Sequence, residues 1–498
     1  MPWLVGLATV REHTRAEVPR LTERRRIPPG RRIVKVTATI GRAVGAWWLT
    51  DRGKGRARSY GGLSRRLRLA FNVLGPTYIK LGQILSSGEG IFPPELVAQF
   101  KLLRDQVPAE PFEVVRQTVE GELGRPLEEV FASFEHEPVA AASIAQVHAA
   151  VLRSGEEVVV KVQRPNIAAL VRHDLAVMSY LAPLLVGRIP VAVLANPPAL
   201  IQLFAETIVE ELDFRLEAEN MLDIAKVLAV TAQRAIIVPR PHPRLVTPRV
   251  LVMERVSGFA WDDVSGMRAA GIDTEAVLRA GVVSFLEGAM LFGVFHGDLH
   301  GGNLFVLPDG RTALLDFGIT GRLDEERRRA FLRLVMGGTV NDVRAQVEAL
   351  QELGALRKDA DVDQVIRDLG LDGAPQDVTQ LTAEELTAQL RDLTKQLLAY
   401  GARMPKELML FVKDILFLDG AVSSFAPDVD LLGEVAGIAA YFASRHGGRI
   451  SEEIGFDPRE QEVDLNGVRA SLGVSADTER ISYRELQARR EEVRKKFE

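Results

Sequence analysis

The stretch that constrains this chain most runs from His296 to Gly318 and reads H-G-D-L-H-G-G-N-L-F-V-L-P-D-G-R-T-A-L-L-D-F-G. An apolar run from Asn303 to Val306, a turn at Pro308-Asp309-Gly310 and a second run from Thr312 to Leu315 predict a β-hairpin with polar groups at its open end. That geometry brings Asn303 and Asp316 to one end of the hairpin, with Asp298 just upstream. Phosphoryl transfer asks a protein for a carboxylate beside the acceptor and for oxygen ligands that hold Mg²⁺ against the β- and γ-phosphates. Asp298 is the candidate base, and Asn303 and Asp316 are the candidate metal ligands. A lone D-F-G says little. D-x-x-x-x-N followed across a hairpin by D-F-G is a far more restrictive pattern than three polar residues on a surface turn.

Composition limits the remaining options. The 498 residues, 47% apolar and 26% charged, are those of a globular chain with a sizeable core, long enough for about three domains. Without cysteine there are no structural disulfides or thiolate metal sites, which suits a reducing cytosol. The apolar run from Trp3 to Val10 has no basic segment before it and is closed by Arg11, so it does not read as a signal peptide. The expectation is a chain that stays inside the cell.

The net charge of -5 conceals an asymmetry: the first 70 residues hold 17 Lys and Arg, Arg24-Arg25-Arg26 and Arg65-Arg66 among them, against Glu12, Glu17, Glu23 and Asp51. Val44, Trp47, Trp48 and Leu49 lie among these charges. Basic residues interleaved with interfacial tryptophans suit an anionic membrane surface; a solvated basic helix packed on the body is the alternative. Nucleic acid is not expected as a partner, since no binding motif accompanies the charge.

From Leu63 to Phe131 the apolar spacing is helical, with Leu67, Phe71 and Leu74 before Gly75-Pro76 and a resumed pattern from Tyr78 to Leu85. Lys80 and Gln83 share one face of the resumed helix. Residues 138–164 then read as strands: Gln146 to Leu152, a turn at Arg153-Ser154-Gly155-Glu156, and Glu157 to Val162. Lys161 lies inside that second, strongly apolar strand, where an unpaired ammonium is costly and an anionic partner is required. The phosphates of ATP and a helix glutamate are such partners. Where protein kinases place a glycine-rich loop, this chain has Ala140, Ala141, Ala142, Ser143, Ile144 and Ala145. Alanine restricts the backbone and favours helical turns, so this loop should be stiffer and should hold nucleotide differently.

The Ala-rich loop with V-K-V, the K-x-G-Q of Lys80 and Gln83, the E-x-D of Glu211 and Asp213 ahead of Glu217, and H-x-D…N…D-F-G together resemble the UbiB (ADCK-type) family of atypical kinases. The resemblance covers roughly residues 63–335. It implies an α+β, bilobal protein-kinase-like fold with an N-terminal helical K-x-G-Q extension and a helix-rich C-lobe. By position, it implies that Lys161 binds nucleotide with Glu217 as its helix partner, and that Ala140 to Ala145 and Val147 form the nucleotide loop. Met253, Glu254 and Val256 would form the hinge that holds adenine through backbone groups. Asp298 would be the catalytic-loop aspartate, with Asn303 and Asp316 holding Mg²⁺. The K-x-G-Q helix would lie across the active-site mouth, Lys80 pairing with the E-x-D acid as a brake on peptide access.

Two departures from the family pattern stand out. The catalytic loop has Leu299 and Gly301 where the family carries prolines, which should leave it less rigid. The C-terminus closes on Glu491-Glu492-Val493-Arg494-Lys495-Lys496 rather than on spanning helices, and the nearest apolar run, Leu175 to Ala195, is interrupted by Pro183, Arg188 and Pro190. The 55 residues between Lys161 and Glu217 leave room for a helical insertion around residues 174–203, read as extra core rather than a lipid-facing surface. After Gly318, Asp324-Glu325-Glu326-Arg327 already reads as a helix N-cap and acidic first turn, leaving almost no activation segment to dock a peptide.

The expected organisation is a basic N-terminal arm (1–62), the helical K-x-G-Q extension (63–131), a kinase-like N-lobe with its helical insertion (132–256), a C-lobe (257–460) and a charged tail (461–498). The expected activity is Mg²⁺-dependent ATP hydrolysis or phosphoryl transfer. The resemblance implies that it supports isoprenoid quinone or prenyl-lipid biosynthesis, with quinone-biosynthesis proteins as partners, in the cytoplasm and peripherally on the inner face of the cell membrane. A true protein or small-molecule kinase and a nucleotide-sensing scaffold without turnover are the alternatives.

Overall fold

The computed structural model describes residues 1–23, 27–86, 93–103, 108–185, 197–371, 400, 405–475 and 477–497. The chain divides into two compact units: residues 1–223, 238–256 and 316–319 form the first, and residues 224–237, 257–315 and 320–498 the second.

The first unit opens with five helices, α1 (Leu7–Thr22), α2 (Arg32–Thr50), α3 (Arg56–Leu74), α4 (Pro76–Ser86) and α5 (Pro94–Phe100), followed by α6 (Phe112–Leu123) and the short α7 (Leu127–Val130). Its antiparallel sheet comprises β1 (Phe131–Phe134), β2 (Ala140–Ala141), β3 (Ala145–Leu152), β4 (Glu157–Gln163), β6 (Pro241–Val246) and β7 (Val250–Glu254). The strand order is β1-β3-β4-β7-β6, and β2 pairs with β3. The β-branched run of β4 dictates both faces of this sheet. Val158, Val160 and Val162 point into a core with Val115, Val119, Leu127 and Val130 of α6 and α7. Val159 and Lys161 point to the other face, where Lys161 stands in register with Val147 on β3 and Leu251 on β7.

Between β4 and Glu217 the chain inserts α8 (Ile167–Leu185) and α9 (Pro197–Ile208) before α10 (Phe214–Val230). Val171 and Leu175 of α8 and Phe204, Ala205 and Ile208 of α9 share one core with Val18 and Leu21 of α1, Val36 of α2, Phe71 of α3 and Tyr78 of α4. The segment expected as an arm is therefore folded into this unit by its first two helices. Asp174, fully buried on α8, accepts from Arg32 Nε at 2.7 Å, and Arg11 of α1 donates to Glu219 of α10 at 2.6 Å. Arg24, Arg25 and Arg26 lie outside the described residues. Among those described, α8 is the one helix long and apolar enough to cross a bilayer, and half of its apolar window is buried in the unit. The apolar run read from Leu175 misplaced this element: the helix begins at Ile167 and carries Pro183 in its last turn.

The second unit contains β5 (Ile236–Ile237), β8 (Phe259–Ala260), β9 (Val294–His296), β10 (Leu304–Val306), β11 (Thr312–Leu314) and β12 (Thr320–Arg322). β10 and β11 form the expected hairpin, in register from Leu304↔Leu314 to Val306↔Thr312, and the turn is closed at Gly310, whose φ of +83° favours glycine. Leu315 N–H donates to Asn303 O at 2.9 Å, so the hairpin ends one residue short of Asp316. A helix at Thr274–Glu287, capped by Asp273, runs into a single π-turn at Gly288–Phe292 and then into β9. Asp324 caps the helix Glu325–Thr339 by accepting from Arg327 N, as expected from its acidic first turn. Only β12 separates that cap from Gly318. Further helices at Lys406–Phe425 and Leu431–Ile454 complete the helix-rich part of this unit.

Candidate active site

In the first unit, Lys161 is the centre of charge. Its Nζ lies 2.7 Å from Glu217 Oε1 and 3.3 Å from Asp316 Oδ2, and sits over the Phe214 ring at 5.5 Å from its centroid. Burial works to lower the lysine's pKa, but Asp316, Glu217 and Glu211 outweigh it and hold the ammonium charged. Burial pushes the Glu217 carboxyl up while Lys161 pulls it back. The D-F-G segment is fixed by its own main chain: Phe317 N–H donates to Glu217 Oε1 at 3.4 Å, and Asn220 Nδ2 donates to Phe317 O at 2.8 Å. Asp316 Oδ1 accepts from Gly318 N–H at 2.9 Å, and its side chain keeps 41% exposure. The carboxylate expected to hold a metal is thus the accessible one, and the glutamate paired with the lysine is the buried one.

Lys80 Nζ lies 3.1 Å from Glu211 Oε1, with both side chains nearly buried. Glu211 in turn packs close to Gly318, so the K-x-G-Q helix reaches the D-F-G segment through this pair. The second acid of E-x-D goes elsewhere. Asp213 accepts from Arg215 N, Nε and NH2, which makes it the starting cap of α10 rather than a partner of Lys80. Gln83 donates to Leu103 O at 3.4 Å, and a Cβ on Gly82 would meet Leu103 Cδ1 at 2.2 Å. The glycine of K-x-G-Q is there because the chain beyond α5 passes directly over it. Lys80→Ala removes an ammonium 3.1 Å from the Glu211 carboxylate in a nearly dry site, so it should lower the unfolding free energy by about 1–3 kcal/mol. In chemical denaturation, adding Glu211→Gln should recover part of that loss; an effect within about 0.5 kcal/mol for Lys80→Ala would place the lysine on a solvated face instead.

The Ala-rich loop begins as a strand. Ala140 and Ala141 are extended, paired with Val147 and Gln146, and Ala142 N–H donates to Ala145 O at 2.8 Å to close a tight hairpin. Pairing with β3 overrides the helical preference of alanine. Two fastenings outside the alanines stiffen this loop. Ile144 is buried in the helical core with Tyr78 and Val171, and Arg164 N–H donates to Ile144 O while its guanidinium donates to Ala142 O at 3.1 Å and Pro108 O at 2.8 Å. Ser143 is buried between them. Losing such bonds costs about 1.4 kcal/mol or more, so Arg164→Gln should speed amide exchange across 142–145 by at least about tenfold, and Ala141→Gly by less. The opposite order would return the stiffness to the alanines. Met253 is buried on the Lys161 face of the sheet, and the Glu254 N–H is engaged by Arg240 O within it; Val256 is the last residue of this unit before the chain passes to the second.

In the second unit, Asp298 follows β9 directly. Its N–H donates to His296 Nδ1 at 3.1 Å, and its carbonyl accepts from Asn303 Nδ2 at 3.1 Å. That bond turns the Asn303 amide so that its nitrogen faces the loop and its oxygen faces away. The Asp298 carboxylate is paired with Lys413, and the neighbouring Asp414, fully buried, accepts from Leu299 N–H at 2.9 Å. Burial pushes the Asp414 carboxyl well above the usual carboxylate range. Neither residue belongs to a motif. The signal for both is a Lys-Asp pair inside the apolar run Leu408 to Leu418, where two charges need partners.

A lysine–glutamate pair on a five-strand-plus-hairpin antiparallel sheet, a D-F-G segment pinned behind it and an H-x-D…N loop set by a helix define a protein-kinase-like α+β protein. Within that class the chain belongs to the ABC1 (UbiB-type) atypical kinase family: residues 102–350 match the ABC1 atypical kinase-like domain. It is 37% identical to an uncharacterized protein of Mycobacterium tuberculosis over 388 residues, 76% of this chain and 78% of that one. It is 32% identical to a probable protein kinase UbiB of Vibrio parahaemolyticus, covering 74% and 68% of the two chains. It is 33% identical to the Arabidopsis thaliana chloroplast protein named activity of bc1 complex kinase 1, covering 75% and 54%.

Proposed function

We propose that this protein binds Mg²⁺-ATP, hydrolyses it or transfers its γ-phosphoryl group, and in doing so supports isoprenoid quinone or prenyl-lipid biosynthesis at an anionic membrane surface. The observation that carries the reading is Lys161 held between Glu217 and Asp316 on the face of the sheet turned away from α6 and α7. An ammonium has three donors, and two are engaged here, which leaves one for a phosphate oxygen.

The donor set fits Mg²⁺. Among the described residues no three His, Cys, Asp or Glu gather into a metal cluster. Nucleotide chemistry does not need one, since one carboxylate and one amide oxygen suffice when phosphates and water complete an octahedral shell. Asp316 would be that carboxylate and, by the family pattern, Asn303 the amide; the bound ion would draw charge off the phosphates. Asp298 takes the proton of the acceptor hydroxyl, from water or an alcohol. As the acceptor oxygen bonds to γ-phosphorus, the bond from γ-phosphorus to the bridging oxygen breaks, and its electron pair leaves with ADP.

The membrane part of the reading is supported by α2. Trp47 turns inward and donates to Ser59 O at 3.0 Å, whereas Val34, Val44, Trp48 and Leu49 are exposed among Arg31, Lys35 and Arg42. The quinone part rests on the family resemblance and on relatives named UbiB. Phosphate release and label transfer from Mg²⁺-ATP by the purified chain, with and without anionic liposomes carrying a quinone-precursor mimic, test the proposal. Mg²⁺-dependent turnover that rises with the liposomes is expected; neither release nor transfer under any of these conditions would refute it.

A further inference from the structure

We propose that Lys413 is a positioning residue that aims the Asp298 carboxylate from a helix outside the catalytic loop. The proposal rests on the reading of Asp298 as the base. From His296 to Asn303 the loop contains no lysine or arginine. Within the loop, His296 holds the Asp298 main chain by its N–H and Asn303 holds it by its carbonyl. Neither of those bonds is made by the carboxylate.

Lys413 acts on the side chain. It reaches the carboxylate from the helix Lys406–Phe425, pairing with Asp298 Oδ1. Its side chain is 18% exposed and that of Asp298 21%, so the contact is more enclosed than the solvated surface pairs that contribute little. The next residue on the helix, Asp414, holds the Leu299 N–H. Two consecutive helix residues therefore hold two consecutive loop residues, one by its side chain and the other by its main chain. An ammonium on one carboxylate oxygen orients the other, which is what a base needs in order to meet the acceptor proton at hydrogen-bond distance. This remote grip also compensates for the absence of prolines from the loop.

The test uses the full chain with Mg²⁺-ATP. Lys413→Met keeps the length and the apolar stem and removes the charge. It should lower kcat by at least about tenfold, the scale of a misaimed general base, while KM for ATP and nucleotide affinity stay within about twofold. Lys413→Arg should restore a large part of kcat, and Lys413→Met should cost nothing further once Asp298 is already Asn. Equal kcat in wild type and Lys413→Met, an undiminished effect in the Asp298→Asn background, or a loss shared by nucleotide affinity would each overturn the proposal. If the wild-type chain neither hydrolyses nor transfers phosphate, the functional reading fails while the grip itself is still measured. Denaturation midpoints of Lys413→Met, Asp298→Asn and the double variant should be non-additive, and additive midpoints would sink the pairing as well.

Discussion

Asp316→Asn should abolish Mg²⁺-dependent nucleotide binding while leaving the fold intact. Calorimetric titration with ATP should show affinity at least about a hundredfold weaker than wild type in the presence of Mg²⁺, a loss of about 2.7 kcal/mol that suits removal of a charged metal ligand. The difference should largely vanish without Mg²⁺. The fold should survive because Asp316 is the most exposed member of its cluster, and Glu217 alone still pairs Lys161 at 2.7 Å. Unchanged Mg²⁺-ATP affinity in this variant would remove Asp316 from the metal assignment, and with it the strongest support for the functional reading.

Asp298→Asn should separate binding from chemistry. The amide keeps the size of the side chain, and the main-chain bonds to His296 and Asn303 do not involve the carboxylate. Asp414 still holds Leu299 from the helix. Nucleotide affinity should therefore stay within about twofold, while turnover falls by at least about a hundredfold, the lower end of general-base contributions. Measuring kcat and nucleotide affinity on one preparation decides it. A variant that turns over at the wild-type rate would show that Asp298 does not take the acceptor proton.

What the sequence made legible was local. The hairpin from Leu304 to Leu314 follows from alternating apolar residues around Pro308-Asp309-Gly310, and its register follows from the turn. Lys161 could be found because a lysine inside V-V-V-K-V demands an anion, whereas Glu217 is identified as its partner only through the family resemblance. The cap at Asp324 was legible from four residues. Long-range contacts were not. Lys413 and Asp414 lie more than a hundred residues after the loop they hold, at no motif spacing, and only their placement in an apolar run hints that they have partners. The fastenings of the Ala-rich loop were hidden for a related reason: its shape is set by pairing with β3, by Ile144 in a distant core and by Arg164, none of which the alanines themselves reveal. Asp213 shows that a short pattern can place two acids side by side in sequence and still send them to different tasks.

The way the helices share cores bears on which stretch of polypeptide can be excised. The family match spans residues 102–350, yet in the first unit α8 and α9 bury Val171, Leu175, Phe204 and Ile208 against Val18, Val36, Phe71 and Tyr78, all of them upstream of that span. In the second unit, the helix that fastens Leu299 begins at Lys406, well beyond its other end. A fragment cut at the edges of the match would present two raw apolar surfaces to water and an untethered loop, and should aggregate on expression. The recognisable portion of the sequence is thus shorter than the portion that folds, and comparisons restricted to it omit residues on which its most characteristic segments lean.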